Sequence, residues 1–155
     1  MNPVIMPPLS ADQATTLREL VMDKKEAEMK SKITGTKSIA ILSGKGGVGK
    51  SNVAVNLALV MAEMGLKVTI LDADLGFANI DILFGVIPKF NLGHVMRGDK
   101  ELSEILFQVG ERVAIIPGGA GLRELADLDD QRQDWMINRL SFLEENTDVL
   151  IIDTS

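Results

Sequence analysis

The chain has 155 residues, 46% of them hydrophobic and 25% charged, which supports about one domain with its own core and excludes a wholly disordered, collagenous or coiled-coil chain. With no cysteine and one histidine, disulfides, thiol nucleophiles, thiolate zinc or iron–sulfur sites and His-rich metal centres are excluded from this segment. A net charge of −6 argues against bulk attraction to phosphate backbones, so no direct nucleic-acid partner is expected.

Pro3, Pro7 and Pro8 at the start of the chain predict an extended tail, because proline cannot continue a hydrogen-bonded element. This stretch lacks a basic start followed by an apolar block, so no secretion signal is read and a cytoplasmic location is expected. Ser10 and Gln13 have the spacing of a capping box. Ala14, Leu17, Leu20 and Val21 follow on one helical face, which predicts a helix over about 11–32. Its second half mixes charge signs and ends before Thr34-Gly35-Thr36, read as a linker, so the helix is expected outside the core. It serves either as a solvated leader or as a docking helix for a partner.

From Lys37 onward the pattern changes to short apolar runs, Ile39–Leu42, Val68–Leu71, Val113–Ile116 and Val149–Ile152. They lack in–out alternation, as expected of parallel strands covered on both faces. A helix is predicted from Lys50 to Met64, stopped by Gly65. Its apolar stretch Val53–Ala62, interrupted by Asn56, is the longest present and falls short of the roughly 20 residues of a membrane span. Further helices are predicted near 91–97, 101–108 and 121–126, and a longer one over 130–146 carrying Trp135, Ile137, Leu140 and Leu143. The expected fold is α/β, a doubly wound and mostly parallel sheet over residues 37–155, preceded by tail and helix in residues 1–36.

The first core strand runs into Gly44-Lys45-Gly46-Gly47-Val48-Gly49-Lys50-Ser51, which fits Gly-x-x-x-x-Gly-Lys-[Ser/Thr] between a strand and a helix. Glycines let successive amides turn inward, and the following helix adds its positive dipole end, so the segment is suited to a polyphosphate. Residues Gly44 to Ser51 together with Asn52 are the candidate nucleotide-binding residues. Lys50 supplies charge to the β and γ phosphates, and the Ser51 hydroxyl is placed to ligate Mg²⁺. The same glycines satisfy Gly-x-Gly-x-x-Gly, with Asp72 as a ribose-binding acid, but that dinucleotide reading gives no reason for Lys50-Ser51.

Three acids follow strands. Asp72 and Asp74 lie at the carboxyl end of the second, and Asp153 ends Val149-Leu150-Ile151-Ile152. Taken singly, such an acid caps the next helix. Beside a phosphate loop, a carboxylate that holds Mg²⁺ or orients water serves phosphoryl transfer. Asp74 is the water-positioning candidate, and Asp72 and Asp153 are metal-side candidates.

Lys45 is a second lysine that an ordinary phosphate loop does not require. With it, the loop resembles the deviant Walker A loop of the MinD/ParA ATPases, and Asp72-Ala73-Asp74-Leu75-Gly76-Phe77-Ala78-Asn79-Ile80-Asp81 resembles their switch I, over roughly residues 37–155. The resemblance implies ATP and Mg²⁺ as ligands and an ATP-dependent homodimer in which Lys45 reaches the partner's nucleotide. It implies that Asp74 is needed for hydrolysis and that Asp153 is the Walker B acid. Pro117-Gly118-Gly119-Ala120-Gly121 and Asp12-Gln13-Ala14-Thr15-Thr16-Leu17-Arg18 are similar to a loop and an N-terminal helix of the flagellar-number regulators in that family.

Those regulators use the helix to stimulate the signal-recognition-type GTPase FlhF, which makes Asp12, Gln13, Leu17 and Arg18 candidate docking residues. Flagellar basal-body or C-ring proteins are further implied partners. Family members run on beyond the position of Ser155, where the resemblance places switch II, the adenine pocket and a C-terminal helix for peripheral membrane binding. Septum-site and chromosome-partitioning ATPases, related iron–sulfur carriers and a non-catalytic partner-activating protein remain as alternatives. His94 is expected at a surface helix position without a role, and the eight Met residues and Trp135 are expected to serve packing.

Overall fold

The computed structural model describes residues 11–32, 35–74, 79–119 and 139–154. Helix α1 spans Ala11–Lys32, followed by β1 (Lys37–Ile41), α2 (Lys50–Glu63), β2 (Val68–Ala73), α3 (Ile80–Phe84), α4 (Leu92–Met96), α5 (Leu102–Ile105), β3 (Phe107–Gln108), β4 (Val113–Ile116), a 3₁₀ turn (Ser141–Glu145) and β5 (Val149–Thr154). The strands form one sheet in the order β1-β5-β2-β4-β3, parallel except for β3 against β4. This is the mostly parallel α/β sheet expected. The proline tail, Ser10, the helix at 121–126, residues 130–138 with Trp135 and Ile137, and Ser155 lie outside the described residues.

The central strands carry apolar side chains at successive positions because each face of the sheet has its own core. Successive side chains point to opposite faces. Ile70, Ile115 and Ile151 therefore pack with Ala54, Val55 and Ala58 of α2. Their neighbours Leu71, Ile116 and Leu150 pack with Leu92, Val95, Leu102, Ile105 and Leu143 on the other face. Thr69 and Thr147, both buried, share a hydroxyl hydrogen bond of 2.7 Å, which satisfies polar groups that would be costly alone.

Four expectations are corrected. The run Ile39–Leu42 is not fully buried: Ile39 and Ile41 pack partly on the α2 face, and Leu42 is 73% exposed. Among the described residues β1 pairs with β5 alone, at the edge of the sheet. The helix predicted over 101–108 ends at Ile105 because Leu106 turns extended (φ −63°, ψ 113°). Phe107 then pairs with Ile115 as an antiparallel edge strand, so tertiary pairing overrides local helical propensity. Of the long helix predicted to 146, the last part is a 3₁₀ turn. His94 is half-buried rather than a plain surface residue: its Nδ1 accepts the Asn91 amide at 3.2 Å at the start of α4, and its ring meets Phe90 edge-on.

The described side chains of α1 from Thr15 to Ala27 are exposed apart from Glu26, in keeping with a helix outside the core. It is fastened to the body by Glu26, which pairs with Arg112 at 3.0 Å, and Arg112 also donates to the Gly65 carbonyl at 2.9 Å. Gly65 (φ +90°) and Arg112 precede β2 and β4, so the helix is anchored at the amino edge of the sheet. The phosphate loop lies at the opposite, carboxyl edge. Thr36 at the linker's end donates to the Thr147 carbonyl at 2.7 Å.

Candidate functional site

The loop between β1 and α2 curls because two of its glycines adopt conformations that other residues avoid. Gly47 has φ +73° and Gly49 φ +95°, in the left-handed region where a Cβ is strained. Gly49 is also the N-cap of α2, and its carbonyl accepts the Val53 amide at 3.0 Å. Ser43 ties the entry to the loop, donating from its hydroxyl to the Lys45 carbonyl at 3.1 Å and accepting the Lys45 amide at 3.2 Å. A Cβ built at Gly44, Gly46, Gly47 or Gly49 would meet nothing within 4 Å, so open space surrounds the loop at each of these glycines.

Gly47 and Gly49 also line a cavity of about 320 Å³, together with Lys50, Ser51, Asn52, Asp74, Asn79, Ile82 and Leu83. Lys50, Ser51 and Asn52 come from the first turn of a 14-residue helix, whose unpaired amides and dipole favour an anion at that end. No acidic residue occupies this first turn, which leaves the favourable charge to a ligand. Asp74 and Asn79 form the facing wall, and Ile82 and Leu83 of α3 add an apolar side. Lys45, Gly44, Gly46 and Val48 are exposed and lie outside the cavity lining.

Below this cavity the carboxyl ends of two strands bring acids together. Asp72 of β2 and Asp153 of β5 are register partners, each 1% exposed. Asp72 is fully engaged: Oδ2 accepts the amides of Asn79 (3.0 Å) and Ile80 (3.1 Å), and Oδ1 accepts that of Asp74 (3.3 Å). Burial pushes its pKa from 3.8 up to about 6, against the lowering effect of these amides and with a further push from the Asp153 charge. Asp153 has no such satisfaction, for its Oδ1 is buried without a hydrogen-bond partner. A buried carboxylate oxygen left unpaired is costly unless a cation or donor meets it. Asp153 and Ser51 offer oxygen donors of the kind that Mg²⁺ takes; among the described residues no cluster of three or more His, Cys, Asp or Glu stands ready to hold a metal ion.

The fold thus gathers Lys50, Ser51, Asn52, Asp72, Asp74 and Asp153 at one edge of the sheet. Asp12, Gln13 and Leu17 lie on α1, but their side chains fall outside the described residues, and Arg18 is exposed. Leu75 to Ala78 of the switch-like run are also outside them. Sequence reasoning missed Asn79, Ile82 and Leu83 as wall residues, because five-residue α3 is too short for helical periodicity to register. The signal available was the spacing of Asp72 to Ile80, which lets one carboxylate cap the next helix. The Pro117-Gly118-Gly119 turn supports α4, with the Pro117 carbonyl accepting the Leu92 amide at 2.9 Å.

Comparison with known proteins gives consistent matches. A ParA family model, described as NUBPL iron-transfer P-loop NTPase, matches residues 34–99. The antiactivator FleN of Pseudomonas aeruginosa is 44% identical over 117 residues, covering 76% of this chain and 42% of that protein. The flagellum site-determining protein YlxH of Helicobacter pylori is 36% identical over 144 residues, covering 92% and 49%. The chain therefore spans about half the length of the curated relatives it matches. Among solved structures, the septum site-determining protein MinD of Pyrococcus horikoshii, complexed with Mg-ADP, superposes with a TM-score of 0.63 at 33% identity, over 76% of this chain and 48% of that one. Cobyrinic acid a,c-diamide synthase of Mycobacterium smegmatis, with a bound ATP analogue and magnesium, gives 0.66 at 25% identity, over 76% and 50%.

Proposed function

The chain belongs to the MinD/ParA family of P-loop NTPases, and on that premise we propose that it is an ATP-binding, ATP-hydrolysing dimeric switch that sets flagellum number or placement, in the manner of FlhG. One observation carries the nucleotide reading: the glycine loop leads into a helix whose Lys50 and Ser51 line one cavity together with Gly47, Gly49 and Asp74. The similarity to FleN and YlxH supports the flagellar role over septum placement or chromosome partitioning.

Loop amides and Lys50 bind and orient the triphosphate and offset its charge. Ser51 and Asp153 are the residues that would hold Mg²⁺, which when bound neutralises charge developing on the β and γ phosphates. Asp74, on the cavity wall, orients the attacking water; such positioning is most of what phosphoryl transfer requires. Lys45 stands exposed on the loop, accessible to a second subunit, so ATP would join two copies and hydrolysis release them. The ATP state would also control peripheral attachment to the inner membrane face and contact with basal-body proteins.

The direct test is the association state of the intact natural protein with ATP, with ADP and without nucleotide. Dimer confined to the ATP sample is expected; a monomer in all three samples refutes the switch. A second reading, activation of the GTPase FlhF by the leader, is favoured by the exposure of Arg18, Leu20, Val21 and Met22 on α1. A leader peptide that stimulates FlhF, and fails to do so with Gln13→Ala, is expected.

A further inference from the structure

We propose that Asp72 is a positioning residue: it takes up the amides of Asp74 on one side of residues 75–78 and of Asn79 and Ile80 on the other, and so sets two walls of the phosphate cavity from beneath. The inference rests on the nucleotide-hydrolysis reading above and gives Asp72 a different task from the metal-side one that its place in the sequence suggested.

The two buried acids divide the work by what already touches them. Asp153 retains an oxygen with no partner, whereas Asp72 has amide donors on both oxygens. Asp72 is 1% exposed and is not among the cavity-lining residues, while Asp74 and Asn79 are. Between Asp72 and Ile80 the chain leaves the end of β2 and enters α3. One carboxylate joins both ends of that excursion to the rigid centre of the sheet. Small displacements of a water-orienting group are costly in rate, so a support of this kind acts on turnover more than on binding. Aspartate is required because all three partners are donors: asparagine offers one carbonyl oxygen and would set its own N–H groups against an amide.

The experiment compares the intact natural protein with Asp72→Asn and Asp72→Ala. Amide exchange at Asp74, Asn79 and Ile80 is followed by NMR without nucleotide, and ATP turnover is followed across a Mg²⁺ titration. Exchange at those three amides is expected to quicken about tenfold or more with β2 and β5 still protected. kcat should fall about 10- to 100-fold while KM for ATP and the half-saturating Mg²⁺ stay within about threefold. Asp72→Asn preserves shape and removes a buried charge, so it serves should Asp72→Ala not fold. Unchanged exchange at the three amides overturns the proposal. So does a half-saturating Mg²⁺ raised about tenfold with kcat restored by excess metal, the mark of a ligand. If the natural protein hydrolyses no ATP, the functional reading fails, and the exchange data alone still decide whether Asp72 holds these walls.

Discussion

Asp72 and Asp153 sit side by side on adjacent parallel strands, both buried, yet one carboxylate is supplied with backbone amides and the other keeps an unpartnered oxygen. The sheet register alone makes them neighbours, 81 residues apart in the chain, and the turn toward α3 distinguishes them.

The burial of Asp72 makes stability depend on pH. Asp72 has a pKa of about 6 in the folded protein against 3.8 for an ordinary aspartate, so the folded state holds the proton more tightly. Its contribution is fully present below pH about 4 and is lost as pH rises through about 6, a change of about 3 kcal/mol. Urea unfolding between pH 4 and 7, without nucleotide or metal, should show the natural protein losing stability relative to Asp72→Asn across that window. Parallel profiles for the two proteins would refute the assignment.

Removal of the Lys50 ammonium should weaken nucleotide binding while leaving the fold intact. Charge-assisted hydrogen bonds are worth about 1.5–3 kcal/mol each, so Lys50→Ala should lower the affinity for Mg-ATP by about 10- to 150-fold in calorimetry. An affinity within threefold of the natural protein would remove Lys50 from the phosphate site.

Asp74 lines the cavity without belonging to the glycine loop, so on the proposed function its loss should separate binding from hydrolysis. Asp74→Ala is expected to keep ATP affinity within about threefold and to lose about 100-fold or more in turnover. It should accumulate as a dimer in light scattering with ATP. Normal turnover by this variant contradicts the water-positioning role.

Gly65 tests the anchoring of the leader helix. It has φ +90°, and a Cβ there would run into the Glu26 side chain. Gly65→Ala should cost about 1–2 kcal/mol from backbone strain together with overpacking. Adding Glu26→Ala should return only the steric part. Full recovery in this double-mutant cycle would mean that the positive φ carries no strain.

Strands β1, β2, β4 and β5, helices α1 and α2 and the phosphate loop were legible from residue type and spacing because each is a local matter. A run of β-branched residues, a 3.6-residue periodicity or a glycine-rich turn before Lys50-Ser51 acts within one stretch of chain. What escaped were features set by distant partners. Phe107 becomes a strand because Ile115 is there to pair with it, and among the described residues β1 has a sheet partner on one side only. His94 turned inward to the Asn91 amide, and α3 was too short to announce itself.

The sequence by itself determined that a loop of the phosphate-binding pattern stands between the first core strand and its helix, since the loop's glycines, lysine and serine are consecutive. It also placed acids at the ends of two strands, but could not say what each would do. Only the tertiary structure decided that, because the state of a buried carboxylate depends on which donors reach it. Those donors arrive through strand register and the turn into α3, neither of which is written at the acid's own position.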